Sequence, residues 1–411
     1  MSGRSPSRLQ RESCWVAAGA VLAALAACGG SGTGTRSMPP SSGYAYVTSA
    51  DVQGRQVPGA LYQYAIASDG SVSPLSASSI PTGVNPVSVV SDPTGRYVYV
   101  ANLGDATIAQ YAVGTGGALN ALSPAVVNVP QPFSSPVGYW LSIDPGGRFL
   151  YVVVNSGPVP GTGAAIAQYA IGGGGTLTPL TPAYVNVATS AFSALAIDPS
   201  IRYAYVAGAL SATAAQVSEF AVAADGTLSP LSGTGVPAAA WAAGVVVAPS
   251  GKTLYVLSRC VDTSCNGQVT QYSIGAGGAL TPTGVMTSTG SRVNPIAMLT
   301  DGTVPSAYLL TNLMGVDTNE GAVYQYALDG TDALTAQSPA SLPVTSGAVA
   351  EDLWGSNLYA LSAAAVGHAS GSPSGGNLDH YTIGTDGLLR QAGTTAVPGS
   401  LPTAMTIAIT R

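Results

Sequence analysis

The chain has 411 residues with 13 basic and 19 acidic side chains, and only 8% of it is charged, against roughly 25% in ordinary soluble domains. Arg4, Arg8, Arg11 and Glu12 fall in the N-terminal leader; without them the formal net charge moves from −6 to −8, which repels a phosphate backbone and excludes nucleic acid as a partner. Length alone would suggest two or three domains, but 52 Gly, 29 Pro and no helical periodicity after the leader argue for a single all-β domain.

The first predicted element is the leader, residues 1–27, read as a lipoprotein signal peptide. Its three arginines precede an apolar stretch, Trp15–Ala27, too short to serve comfortably as a permanent span. The string Leu25-Ala26-Ala27-Cys28 resembles a bacterial lipobox. That resemblance implies acylation of Cys28, with several chains holding the protein stably on the bilayer. Residues 28–42 then form the lipidated cysteine and a flexible tether, and the expected location is the cell envelope, as an outer-membrane or periplasmic lipoprotein.

From residue 43 to 411 a unit returns about every 50 residues, the mark of a ring or solenoid. Its strand tyrosines are Tyr46, Tyr99, Tyr151, Tyr205, Tyr255, Tyr308 and Tyr359. A second anchor follows each: Gln63-Tyr64, Gln110-Tyr111, Gln168-Tyr169, Glu219-Phe220, Gln271-Tyr272, Gln325-Tyr326 and His380-Tyr381. Gly turns come next, as in Gly174-Gly175 and Asp225-Gly226, where glycine supplies the positive φ of a tight hairpin. Turns such as Asp92-Pro93-Thr94-Gly95-Arg96 and Asp144-Pro145-Gly146-Gly147-Arg148 precede the Tyr strand, with Pro presetting φ and Asp bonding the backbone. Each repeat therefore reads as four antiparallel strands, one propeller blade. The first repeat lacks its inner strand and the segment Leu401–Ile409 supplies one, so the C-terminal strand is expected to complete blade 1 and close the ring.

Tyr97-Val98-Tyr99-Val100-Ala101-Asn102, Asp92-Pro93-Thr94-Gly95-Arg96 and Asp225-Gly226-Thr227-Leu228 resemble the repeat of the YVTN and lactonase-type seven-bladed β-propellers. The likeness implies the fold. Relatives in that family include a bacterial 6-phosphogluconolactonase and surface proteins without assigned activity, so it implies lactone hydrolysis less directly.

Two cysteines remain in the body of the chain, Cys260 and Cys265, and an exported location favours a disulfide between them. No metal or cofactor is expected: no second Cys or His pair sits at ligand spacing, and the run Asp317-Thr318-Asn319-Glu320 lacks the full ligand set of a calcium loop. Most acids occupy turns. Charges that could reach the central face are Arg292 and Glu351, with Asp51 and Asp105 behind them, whereas His368 and His380 lack an orienting partner in the sequence. Residues at one end of the inner strands, Asn85, Phe192, Trp241 and Asn294, could offer amides and aromatic faces to a ligand, while Asn102, Asn155 and Asn312 read as loop braces. The expectation from the residues is a monomeric, non-enzymatic binding or scaffold module for an envelope protein or glycan. The alternative is a lactonase-type hydrolase with Arg292 and Glu351 as its weak catalytic candidates.

Overall fold

The computed structural model describes residues 43–49, 58–134, 136–157, 163–191, 194–211, 213–231, 235–259, 266–291, 293–301, 304–313, 321–344, 347–354, 356–363, 376–398 and 407–410. They form seven separate antiparallel sheets, the blades of a propeller. The Tyr strands, second in each blade, are Gly43–Ser49, Tyr97–Asn102, Phe149–Asn155, Tyr203–Ala209, Thr253–Ser258, Ser306–Leu313 and Asn357–Ala363. The third strands, carrying the Gln-Tyr anchors, are Pro58–Ile66, Thr107–Val113, Ala164–Ile171, Ala215–Val222, Asn266–Ile274, Gly321–Leu328 and Gly376–Ile383. Inner strands of blades 2, 3, 5, 6 and 7 are Pro86–Ser91, Gly138–Ile143, Ala242–Val247, Val293–Asp301 and Gly347–Trp354. Blade 4 departs from the four-strand expectation: its inner strand is split into Ser190–Ala191 and Ala196–Ile197, and its outer strand into Leu228–Pro230 and Val236–Ala238.

Blade 1 takes its inner strand from the other end of the chain. Ile407–Thr410 pairs antiparallel with Gly43–Ser49, placing Tyr44 opposite Thr410 and Val47 opposite Ile407. The ring is closed by this strand as the sequence predicts, and no inner edge of blade 1 is left bare.

Blades pack face to face, so both faces of the Tyr strand are covered. All seven residues of Phe149–Asn155 are buried, and the sequence is accordingly a continuous apolar run instead of an alternating one. The core is divided into seven clusters, one for each joint between neighbouring blades.

Polar staples run across every joint. The hydroxyl of each anchor tyrosine donates to a turn carbonyl of the next blade: Tyr46 to Gly117 at 2.7 Å, Tyr99 to Gly175 at 2.6 Å, Tyr151 to Gly226 at 2.7 Å and Tyr205 to Gly278 at 2.8 Å. Tyr255 reaches Asp332 at 2.5 Å, Tyr308 reaches Gly387 at 2.9 Å, and Tyr359 of blade 7 reaches Gly70 of blade 1 at 2.8 Å. Burial raises the hydroxyls of Tyr46, Tyr99, Tyr151, Tyr205, Tyr255 and Tyr359 well above the ordinary tyrosine value, so these donors keep their protons. The glutamines add a second bridge. Gln110, for example, donates to Pro124 of its own outer strand at 2.9 Å and accepts the Leu177 N–H of the next blade at 2.6 Å.

Candidate functional site

The inner strands begin, and the Tyr strands end, at the same mouth of the ring, because the two run antiparallel. Two residues immediately before inner strands there adopt left-handed backbone: Asn85 with φ 53° and Trp241 with φ 58°. Asn tolerates this conformation; for Trp it costs about 1–2 kcal/mol. Strain retained at a mouth is a pointer to function, read from the outlier toward the role.

Each of these carbonyls is held by the end of the neighbouring Tyr strand. Leu103 N–H donates to Asn85 O at 2.9 Å, and Arg259 N–H donates to Trp241 O at 3.1 Å. The blade 5 version of this bond therefore sets an arginine beside a half-buried tryptophan. Arg259 is exposed to solvent, yet surrounding protein desolvates its guanidinium and draws it below the usual arginine value. An arginine in this position remains charged. Asn294, 9% exposed, stands at the start of the adjacent inner strand in blade 6, opposite Asn312.

Below the mouth the first four inner strands are tied together by serines. Ser91 donates to Ile409 O at 2.7 Å, Ser142 donates to Leu195 O at 2.8 Å, and Ser88 Oγ accepts the Leu141 N–H at 3.1 Å.

Other sequence candidates fall out differently. Asp105 is a loop brace: its carboxylate accepts the Val84 N–H at 3.0 Å and the Thr107 hydroxyl at 2.7 Å. Asn102 braces its loop through side chains instead of local backbone, its Oδ1 accepting from the Thr82 hydroxyl at 3.1 Å. Asn155 does not, since neither atom of its buried amide has a partner among the described residues. Glu351 lies opposite Ala360, level with Met298 of blade 6, because Asp352 and Leu299 each face an anchor tyrosine. That is roughly 10–13 Å deeper than Asn294 along the strand direction. Arg292, Phe192, Asp51 and His368 lie outside the described residues. Arg259 was missed in the sequence, although a signal existed: four residues after the anchor tyrosine, other blades have Leu103, Asn155, Ala209 or Ala363, none charged.

Among the described residues no three His, Cys, Asp or Glu side chains form a metal-binding group, and 317–320 lies outside them. No helix among them is long and apolar enough to cross a membrane. Cys28, Cys260 and Cys265 also lie outside the described residues, and no disulfide occurs within them. Neither the disulfide nor the lipid anchor is supported, and both expectations are corrected.

Similar structures share the architecture. A protein from Bacteroides uniformis, provisionally assigned as a 6-phosphogluconolactonase, superposes with a TM-score of 0.64 at 17% identity, covering 89% of this chain and 99% of that one. A periplasmic gluconolactonase from Pseudomonas aeruginosa gives 0.60 at 15% identity, over 89% and 99% of the two chains. A Lactobacillus plantarum protein gives 0.58 at 15% identity, over 90% and 99%. No curated protein matches this chain in sequence. The family model described as "Lactonase, 7-bladed beta-propeller" matches residues 39–297, well over half the chain. That match overturns the expectation of a non-enzymatic display module, which rested on the scarcity of charged residues outside turns. The chain belongs to the seven-bladed β-propeller lactonase family.

Proposed function

We propose that this protein is a lactonase-type hydrolase that opens a small sugar-acid lactone at the mouth of the ring where the inner strands begin. The observation that carries the reading is Arg259, a desolvated yet solvent-facing cation beside a strained tryptophan. Hydrolysis of a lactone adds water across an ester: the water oxygen bonds to the carbonyl carbon, the acyl–oxygen bond breaks, and the ring oxygen leaves as a hydroxyl. Negative charge gathers on the carbonyl oxygen in the transition state, and a preorganised cation beside it stabilises it more than bulk water can. The half-buried face of Trp241 suits the C–H face of a sugar ring, and the amides of Asn85 and Asn294 suit its hydroxyls.

The remaining roles belong to the same proposal. Arg292 would add a second cation two residues before Asn294 and Phe192 a second aromatic surface, whereas Glu351, roughly 10–13 Å deeper along its strand, is too far from the mouth to act as the base. Residues 1–27 would serve as an export leader and 43–411 as the catalytic propeller, placing the activity in the periplasm. The test is a pH-stat assay of the purified protein with D-glucono-δ-lactone and its 6-phospho derivative, corrected for spontaneous opening. Turnover of either supports the hydrolase; rates equal to the uncatalysed background for both overturn it.

A further inference from the structure

Blade 7 breaks the pattern of the bridging glutamine. In blades 1 to 4 and 6, Gln63, Gln110, Gln168, Glu219 and Gln325 accept the N–H of Leu119, Leu177, Leu228, Leu280 and Leu389 in the next blade. Gln271 of blade 5 donates instead to the Asp332 carbonyl of blade 6 at 2.6 Å. Blade 7 has His380 in this position, and its next neighbour is blade 1, the blade that joins the two ends of the chain.

His380 is 5% exposed. Its Nε2 lies 2.7 Å from Asn357 Oδ1, the distance of a ring N–H donating to an amide oxygen. The imidazole stacks on Tyr359, with centroids 5.0 Å apart and planes 13° from parallel. Tyr359 is itself the staple to Gly70 of blade 1. The fit against that turn is close, since a Cβ on Gly70 would stand 2.5 Å from His380 Nε2 and 2.4 Å from Asn357 Oδ1. The titratable groups facing the ring are Asp69, from the blade 1 turn, and Tyr359, from its own blade. Asp379 is adjacent on the strand but on the opposite face, where its carboxylate accepts from Thr394 at 2.7 Å.

We propose that His380 is a pH-sensitive latch at the ring closure: its neutral imidazole seats the blade 1 turn against blade 7, and protonation loosens that joint. Protonation would put a full charge on a ring that is 5% exposed, stacked on Tyr359 and closely packed against the Gly70 turn. Asp69 favours the charged form, but it is solvent-exposed, and burial outweighs it, lowering His380 below 6.5. The native state therefore binds fewer protons than the unfolded chain. The latch contributes fully above the ordinary histidine value, and its contribution falls as pH drops through 6.5 toward the lower native value. This is independent of the hydrolase assignment.

The chain has only two histidines, so in a His368→Gln variant the remaining imidazole Cε1–H NMR signal belongs to His380. It should titrate below 6.5; a midpoint at or above 6.5 overturns the latch. Hydrogen exchange of the intact protein, corrected for intrinsic rates, provides the second arm. The Asp69–Val72 turn should open several-fold faster at pH 5.0 than at pH 7.5, whereas the Gly175 turn should not. His380→Gln, which installs the residue of most other blades, should remove the difference. Equal pH dependence in wild type and His380→Gln, or at both turns, contradicts the proposal. If the glutamine variant fails to fold, the titration and the two-turn comparison in wild type still decide.

Discussion

Blades 1 to 4 and blades 5 to 7 build the same ring with different joints. At the first four joints an aromatic residue lies flat on a glycine of the next blade: Tyr44 on Gly117, Tyr97 on Gly175, Phe149 on Gly226 and Tyr203 on Gly278. In blades 2 to 4 an arginine also lies over the ring, with Arg96, Arg148 and Arg202 at 5.3, 4.8 and 5.4 Å from the ring centres. An Asp at the head of the turn fixes the chain behind it; Asp144 Oδ1, for instance, accepts the N–H groups of Arg148 at 2.6 Å and Phe149 at 2.7 Å. In blades 5 to 7 the aromatic is replaced by Thr253, Ser306 and Asn357, and in blade 5 Ala248 stands where the Asp would be. The tyrosine staple is common to all seven joints; the arginine–aromatic–glycine stack is not. The family match ends at residue 297, within the inner strand of blade 6, so it includes the first of the less stacked blades, and blades 5 to 7 hold Trp241 with Arg259, Asn294 and His380. The stacked half has the regular joints, and the polar half carries most of the unusual chemistry.

The largest test of this contrast is at the seam between the halves. Truncation after residue 406 removes the inner strand of blade 1 and bares the edge of Gly43–Ser49, and should lower Tm by about 10 °C or more. An unchanged Tm by calorimetry would mean that the closing strand contributes nothing to the ring.

Next in size is the glycine under the aromatic. A Cβ at Gly175, φ 81°, would stand 2.2 Å from the half-buried Tyr97 ring, which would have to shift against the Arg96 over it. Gly175→Ala should cost about 3–5 kcal/mol, combining left-handed strain with overpacking. At Gly387, φ 74°, the obstacle is the Ser306 hydroxyl, a small group that can rotate, so Gly387→Ala should cost only about 1–2 kcal/mol. Equal losses in urea unfolding would erase the proposed difference between the halves.

The staples should show no such asymmetry. Tyr99→Phe and Tyr308→Phe each remove one hydroxyl and leave a turn carbonyl without its donor, and each should cost about 1–2 kcal/mol. A much larger loss in the polar half would mean that its joints depend on the staple alone. The smallest effect belongs to the outermost layer: Arg148→Ala gives up an exposed cation over Phe149 and should cost about 0.5 kcal/mol, while Lys252→Ala beside Thr253 should be close to neutral in the same unfolding assay.

The fold was legible because its signals are local. Asp-Pro and Gly turns, the tyrosine register and the missing first strand each specify backbone geometry within a few residues, and together they predict the blades and the closure. Blade 4 was not legible in the same way, since the splits in its inner and outer strands leave no change in the tyrosine or glutamine spacing. The site was legible only in outline. Asn85, Trp241 and Asn294 could be placed at one mouth by counting along the repeat, but Arg259 becomes notable only when its N–H is seen to hold the Trp241 carbonyl. His380 was visible as a substitution in a glutamine position, yet its partner Asn357 lies 23 residues away and is brought to it by strand pairing.

Arg259→Ala tests the central claim most directly. Steady-state kinetics on D-glucono-δ-lactone should give a kcat/KM lower by about tenfold or more than wild type, as for loss of a charge that stabilises the developing oxyanion, with unfolding by urea unchanged. Catalysis at the wild-type level in that variant would contradict the assignment of the mouth beside Trp241 as the place where the lactone is opened.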